Sequence, residues 1–208
     1  MFPILVQLML VPMPTLYELK PRFQALLRPL TRWLATAGIT ANQVTLATAG
    51  ASLALGIGLA VTHRGWFLLP IFLLARMALN AVDGMLAREH GQTSRLGAIL
   101  NELTDVISDA ALTLPFVTLA GWNRLWIGGA ILSAAFTEMA GLAAMTAGSP
   151  RRYDGPFGKS DRALALGVLG TWLALGWPVA DWVTVAAPAA WIALCCITVI
   201  QRVRRALS

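Results

Sequence analysis

Acidic and amide side chains recur at regular intervals in the middle of an otherwise apolar chain. Asp83 follows Asn80 by three residues, and further along Asn101, Asp105 and Asp109 are four residues apart. Residues three or four apart share one face of a helix, so each group predicts a polar stripe. Carboxylate and amide oxygens are ligands that hard cations prefer. The pattern therefore indicates a Mg²⁺ or Mn²⁺ site that can hold a diphosphate.

The rest of the chain is too hydrophobic for an ordinary soluble domain. Of its 208 residues, 57% are hydrophobic and 12% are charged, and the mean hydropathy is +0.68. Because a bilayer core needs about 20 helical residues, we predict an all-α polytopic membrane protein with six transmembrane helices. Their approximate bounds are 41–62, 66–88, 94–120, 124–147, 161–177 and 182–201. A charge inside such a helix costs at least about 2.5–3.5 kcal/mol, so the acids need water, a partner or a metal. The alternative to a metal site is that they pair with Arg76, Arg88 and Arg95 and link the helices.

The segment just ahead of the first predicted span is amphipathic. Its apolar residues recur at helical intervals and its basic residues share another face, which is typical of an interfacial helix. The apolar positions are Leu16, Phe23, Leu27, Leu30 and Leu34. Residues 1–14 contain an apolar run, but no Lys or Arg precedes it, so a signal peptide is not expected. They are expected to be a start-site extension or a short anchor. Residues 15–208 are expected to form one membrane domain.

Basic residues are distributed unevenly between the predicted loops. Of the sixteen Lys and Arg, thirteen lie on one predicted side of the membrane. Cytoplasmic loops carry such an excess, so we expect a multi-pass protein of the cell inner membrane with both termini in the cytoplasm. No interleaving of basic and aromatic residues indicates a nucleic-acid partner.

The polar residues and the spacing between them resemble the signature of the CDP-alcohol phosphatidyltransferases. That signature reads D-x-x-D-G-x-x-A-R, then eight residues, then G-x-x-x-D-x-x-x-D. The matching positions here are Asn80, Asp83, Gly84, Ala87, Arg88, Gly97, Asn101 and Asp105. The resemblance extends over residues 15–205 and includes the layout of six spans with an amphipathic leader.

The resemblance implies an enzyme that moves a phosphatidyl group from CDP-diacylglycerol to a small polar alcohol and releases CMP. It also implies a homodimer in the lipid bilayer and the cofactor Mg²⁺ or Mn²⁺. Asp105 matches the base that deprotonates the acceptor hydroxyl, and Arg88 is expected to steady the diphosphate. The metal candidates are Asn80, Asp83, Asn101, Asp105 and Asp109. The nucleotide candidates are Asn80, Asp83, Gly84, Ala87, Arg88, Gly97, Asn42 and Thr45.

Asn42 and Thr45 enter that list because GITANQVT resembles the family's entry to its first span. A helix cap by Thr40 or Asn42 is the alternative interpretation of this segment.

Asn80 and Asn101 stand where the signature has aspartates. An amide keeps a carbonyl oxygen for a metal but removes a negative charge. Either the site holds one metal instead of two, or Asp109 or Glu102 supplies the negative charge that the two amides lack. The alternatives to an active enzyme are a CDP-lipid-binding scaffold and a small ion or proton carrier that uses the acid stripe.

Further polar residues point to the acceptor side of the reaction. Arg95, Lys159 and Arg162 are candidates for binding the acceptor or a phosphate near the same membrane face. Glu138 lies in the middle of a predicted span, where a lone acid indicates a functional site. It is expected either to line the acceptor pocket or to pair with Arg76.

Overall fold

The computed structural model describes residues 16–208, with side chains from residue 22 onwards. The expectation for residues 1–14 lies outside this range. The described chain is all-helical, which confirms the all-α part of the prediction. Its α-helices are α1 (Leu16–Thr36), α2 (Ala41–Thr62), α3 (Leu68–Glu89), α4 (Arg95–Thr113), α5 (Arg124–Ala143), α6 (Lys159–Ala174) and α7 (Val183–Ala206). Two short 3₁₀ helices, Leu114–Thr118 and Ala144–Ala147, extend α4 and α5.

Polar caps set where the helices around the polar residues begin. Thr40 and Gln43 form a capping box at the start of α2, and the Ser94 hydroxyl accepts from the Gly97 amide at the start of α4. Asn123 caps α5 in the same way. Each cap satisfies amide donors that the first helical turn leaves without partners.

Helix α2 lies at the centre of the half of the bundle that carries the signature residues. It packs against α3, α4 and the first 3₁₀ helix, while α3 also contacts α1 and α6. Helix α5 packs mainly against α7 and also against α4. The end of α3 and the start of α4 are therefore held next to the start of α2.

Four helices of the described chain are long and apolar enough to cross a membrane. They are Ala41–Thr62, Leu68–Glu89, Arg124–Ala147 and Val183–Ala206. Helix α6 has only 16 residues, and α4 carries the predicted acid stripe together with Glu102 and Arg95. Their length and composition are those of membrane-spanning helices.

A small apolar cluster of Ala41, Val44, Val82 and Leu86 lies among the signature residues. The larger apolar core extends to the opposite ends of these helices. Its aromatic centre is formed by Trp66, Phe116 and Trp122, with ring centroids 5.2 Å apart in each neighbouring pair. Buried leucines from α2, α3 and α4 pack around it. This apolar packing fixes α2, α3 and α4 relative to one another, and so fixes the relative positions of their polar ends.

Close packing of α2 on α4 depends on Gly56. A Cβ atom at this position would overlap the backbone carbonyl of Ala111. We expect Gly56→Ala to cost about 1–3 kcal/mol through overpacking and to lower the melting temperature in detergent. Gly58→Ala is the matched control, since nothing lies within 4 Å of its added methyl. Equal melting of the two variants would contradict this packing.

Candidate active site

A cavity of about 760 Å³ opens between the start of α2, the end of α3 and the start of α4. It is lined by nine of the residues predicted from the sequence. These are Asn42, Thr45, Asn80, Asp83, Gly84, Ala87, Arg88, Gly97 and Asn101. Asn80 and Asp83 of the α3 stripe and Asn101 of the α4 stripe therefore line a single cavity, whereas Asp105 and Asp109 do not line it.

Asp83 is the buried carboxylate of this cavity. Its residue is 5% exposed, and Thr45 Oγ1 of α2 donates to its Oδ2 over 2.9 Å. Since a buried carboxylate needs hydrogen bonds or a cation to offset its desolvation, the Thr45 hydroxyl both stabilises Asp83 and orients it. The other carboxylate oxygen has no hydrogen-bond partner within residues 22–208.

Asp105 joins the stripes of the two helices. Its Oδ1 accepts from Asn80 Nδ2 over 3.4 Å and lies 3.5 Å from Arg76 Nη2. Lys159 of α6 pairs with the same oxygen. Asp105 is thus bound on one carboxylate oxygen by donors from α3 and α6.

A second cavity, of about 180 Å³, lies on the far side of Asn80. It is lined by Leu73, Arg76, Met77, Asn80, Lys159, Ser160 and Ala163. Asn80 lines both cavities, and two residues of the smaller one, Lys159 and Arg76, contact Asp105. Asp105 therefore lies next to Asn80, the residue that the large and the small cavity share.

Asp109 lies one turn deeper and lines neither of these cavities. Arg76 Nη1 donates to its Oδ1 over 2.6 Å, and Arg162 Nη2 donates to its Oδ2 over 3.0 Å. Both oxygens are therefore bound by guanidinium groups. Its role as a metal ligand stays a prediction, and its contacts favour holding the two arginines in place.

Two signature glycines let polar side chains cross over the helix backbone. A Cβ at Gly84 would lie 2.8 Å from Arg88 Nη2, and one at Gly97 would lie 2.6 Å from Asn42 Oδ1. The Arg88 guanidinium lies over Gly84, and the Asn42 amide over Gly97. Both polar groups are thereby brought to the cavity wall.

The profile of the CDP-alcohol phosphatidyltransferase family matches residues 38–199. The chain belongs to this family. It is therefore a transferase of phospholipid biosynthesis, and the resemblance inferred from the signature is confirmed.

Similar proteins agree with this assignment. Over 163 residues the chain is 51% identical to the inner membrane protein YnbA of Escherichia coli K12. The aligned region covers 77% of this chain and 81% of YnbA. The fold matches that of Mycobacterium tuberculosis phosphatidylinositol phosphate synthase, PgsA1, with CDP-DAG bound. The TM-score is 0.72 and the identity 21%, over 86% of this chain and 92% of PgsA1. The PgsA1 complex with manganese and citrate gives a TM-score of 0.73 at 20% identity, over 86% and 88% of the two chains.

Oxygen donors for a divalent metal come from acidic and amide side chains of α3 and α4. Residues 22–208 contain no group of three or more acidic, His or Cys side chains placed to hold a metal. The available oxygens are the free oxygen of Asp83, the second oxygen of Asp105 and the amide carbonyls of Asn80 and Asn101. Such hard oxygens fit a divalent cation, and two carboxylates suit one cation better than two.

At the start of α2 the cap interpretation is confirmed for Thr40, while nucleotide contact by Asn42 and Thr45 stays a prediction. Thr40 caps the helix, so Asn42 is left free to line the cavity. Sequence reasoning missed Gln92, whose Oε1 accepts from the Ala41 amide over 2.7 Å and whose residue lines the same cavity. The turn sequence around it carried no signal for this contact with α2.

The expected pair between Arg76 and Glu138 is wrong. Arg76 of α3 faces α4 and pairs with Asp105 and Asp109, which lie on the nearer helix. Glu138 of α5 instead lies among three arginines, which come from α6, α7 and the loop before α6. They are Arg162, Arg202 and Arg151.

The other acceptor-side candidates are separated in the structure. Lys159 lines the smaller cavity, whereas Arg162 is buried and 1% exposed. Arg95 is exposed at the first residue of α4 and lines neither cavity. Arg151 and Tyr153 both line the larger cavity, and the Arg151 guanidinium lies 4.6 Å from the centre of the Tyr153 ring. The sequence did not predict this contact.

Proposed function

We propose that this chain transfers a phosphatidyl group from CDP-diacylglycerol to a small polar alcohol and releases CMP. The observation that carries the proposal is the convergence of the signature residues of α2, α3 and α4 on one cavity, with Asp105 beside it. The bound CDP-DAG in PgsA1, which shares the fold, supports it further.

The donor is proposed to occupy the larger cavity. Arg88 lines it, is exposed, and has no ion-pair partner in the described part of the chain, so its guanidinium is available for the diphosphate. Asn42, Thr45 and Ala87 border the nucleotide, and the absence of side chains at Gly84 and Gly97 leaves room beside the backbone.

Asp105 is proposed to act as the base. The acceptor oxygen forms a bond to the phosphorus that bears the diacylglycerol, and the bond from that phosphorus to the oxygen of CMP breaks. The proton of the acceptor hydroxyl passes to the carboxylate of Asp105, which Lys159 and Asn80 hold in place through Oδ1. Catalysis then rests on positioning and on neutralising charge.

Mg²⁺ or Mn²⁺ would be held by Asp83, Asp105 and the amide oxygens of Asn80 and Asn101. When bound, it would neutralise charge on the diphosphate. Two carboxylates next to the diphosphate would repel it without a cation, which is why we expect the reaction to need one.

The finer topology is also a proposal. We infer six spans by adding α4, which packs on α2 and α5, and α6, which packs on α3, to the four apolar helices. Helix α1 is inferred to lie in the interface, where its exposed Leu26 and Trp33 contact lipid. Both termini are then cytoplasmic, residues 15–208 form one domain, and two chains form a homodimer.

Thr45 is proposed to position Asp83, which gives a specific prediction. Thr45→Val removes the hydroxyl that donates to Asp83. We expect activity to fall about 10- to 100-fold, because a hydrogen bond to a charged group is worth about 1.5–3 kcal/mol. The metal concentration for half-maximal activity should rise, and Thr45→Ser should restore both values.

Thr48→Val is the matched control for that experiment. Thr48 is also buried on α2, but its hydroxyl donates only to the Val44 carbonyl. If the two valine variants lose activity equally, Thr45 does not act through Asp83.

The proposed function is tested with purified protein in detergent micelles that contain CDP-diacylglycerol. CMP release is measured with Mg²⁺, Mn²⁺ or EDTA across a panel of polyols, amino alcohols and phosphorylated alcohols. We expect metal-dependent CMP release with at least one acceptor. Binding of the CDP lipid without CMP release under any of these conditions would favour the scaffold and overturn the enzyme.

A further inference from the structure

Three arginines from separate parts of the chain converge on the carboxylate of Glu138. Arg162 Nη2 of α6 lies 2.8 Å from Oε1, and Arg151 Nη2 of the preceding loop lies 3.1 Å from Oε2. Arg202 Nη1 of α7 lies 3.7 Å from Oε2. Converging guanidinium groups are the usual ligands of a phosphate group. Here the chain's own carboxylate occupies their centre.

This cluster is built into the core of the protein. The side chains of Arg162 and Arg202 are 2% exposed, and that of Glu138 is 9% exposed. Arg162 Nη1 also donates to Thr137 Oγ1 over 2.8 Å, and Arg202 donates to the Thr137 carbonyl. A buried carboxylate that is held on several sides is costly to displace, so an incoming phosphate cannot readily replace it.

The cations nearest to Asp105 are also paired. Lys159 contacts Asp105, and Arg76 contacts both Asp105 and Asp109. Arg151, which reaches the larger cavity, pairs with Glu102 as well as with Glu138. On the acceptor side of the site, positive charge is therefore already balanced by acids of the chain.

The smaller cavity offers neutral hydrogen-bonding groups beside Asp105. Asn80, Ser160 and Lys159 line it, and Asn80 and Lys159 also contact Asp105. Its volume of about 180 Å³ suits a compact molecule that carries several hydroxyl groups. Hydroxyl oxygens can accept from Lys159 and Asn80 without adding a charge that needs to be balanced.

We infer that the acceptor is an uncharged polyhydroxy alcohol rather than a phosphorylated one, and that Glu138 determines this specificity by occupying the arginine cluster. The inference rests on the proposed function and names the substrate class of the same site. Glu138 acts on specificity through the arginines and does not touch the reacting atoms.

The wild-type protein gives the first test. CMP release from CDP-diacylglycerol is compared for glycerol against glycerol 3-phosphate and for inositol against inositol 1-phosphate. We expect kcat/KM to favour the uncharged member of at least one pair by about tenfold or more. CMP release with phosphorylated acceptors alone would overturn the inference and leave the transferase intact. No CMP release with any acceptor would overturn the proposed function and this inference with it.

Glu138→Gln gives the second test, because it keeps the shape of the side chain and removes its charge. We expect this variant to gain about tenfold in kcat/KM for the phosphorylated acceptors. Inorganic phosphate should raise its melting temperature and leave that of the wild type unchanged. Stabilisation of the wild type by phosphate, equal to that of the variant, would overturn the inference. If the variant does not fold, the phosphate titration and acceptor comparison on the wild type decide the question alone.

Asp154→Asn is the matched control. Asp154 lies in the same loop, but its carboxylate pairs with Arg152, at 2.9 Å, outside the cluster. Its backbone carbonyl, which accepts from Arg202, is unchanged by the substitution. If Asp154→Asn shifts the preference towards phosphorylated acceptors as much as Glu138→Gln does, the shift follows from net charge alone and the inference is overturned.

Discussion

Asp105→Ala is expected to reduce CMP release by about 10²–10⁴-fold, the range that removal of a general base produces. The reason is that Asp105 of α4 contacts Asn80 of α3 and Lys159 of α6, two residues that line the smaller cavity. The substitution removes both the proposed base and a metal ligand. The measurement is kcat for CMP release at saturating metal.

Ser108→Ala serves as the control for Asp105→Ala. Ser108 lies on the same helix and is buried, 2% exposed, but belongs to neither cavity. We expect this variant to keep wild-type activity. Activity of Asp105→Ala within tenfold of the wild type would assign the base to another residue.

Arg162→Met is expected to lower the free energy of unfolding by about 3–5 kcal/mol, as removal of one partner from a buried ion pair does. Arg162 is 1% exposed and binds Asp109 and Glu138 from one side-chain nitrogen, at 3.0 and 2.8 Å. Its loss leaves two acids in the core with fewer partners. Arg162→Lys should rescue little, because an ammonium group cannot reproduce the planar fork that also reaches Thr137.

Arg152→Met is the control for the stability measurement. Arg152 pairs with Asp154 in a partly exposed loop, where an ion pair is worth about 0–1 kcal/mol. Unfolding of both variants is followed by thermal denaturation in the same detergent. A difference between them of less than about 1 kcal/mol would contradict a structural role for the buried network.

The signature cavity could be predicted from sequence because helical periodicity is a local property. Asn80 and Asp83 on α3, and Asn101 on α4, had to share their helix faces whatever the packing, and family spacing indicated that these faces meet. The cavity lining confirms the placement of these residues. Their chemical roles stay predictions.

The ion pairs could not be predicted in the same way. Burial of Arg76 and Glu138 requires partners, and the sequence indicated this correctly. Which partner each finds depends on how α3, α5 and α6 rotate about their axes, and this is set by packing over the whole bundle. Glu138 consequently binds arginines far away in sequence, at positions 162 and 202.

Helix ends were also harder to predict than helix existence. The third span was expected to continue to residue 120, but α4 ends at Thr113 and a 3₁₀ helix follows, with Pro115 near its start. Proline has no amide donor and cannot continue an α-helix in register. The run of apolar residues there hid the end of the helix.

The central claim is transfer of the phosphatidyl group, and the most direct test follows its phosphorus atom. CDP-diacylglycerol labelled with ³²P at the phosphate attached to diacylglycerol is incubated with the protein, Mg²⁺ or Mn²⁺, and the best acceptor. Attack at that phosphorus predicts label in a new phospholipid, with an equal amount of unlabelled CMP. Label that remains in CDP-diacylglycerol, or that appears in a nucleotide product, would contradict it.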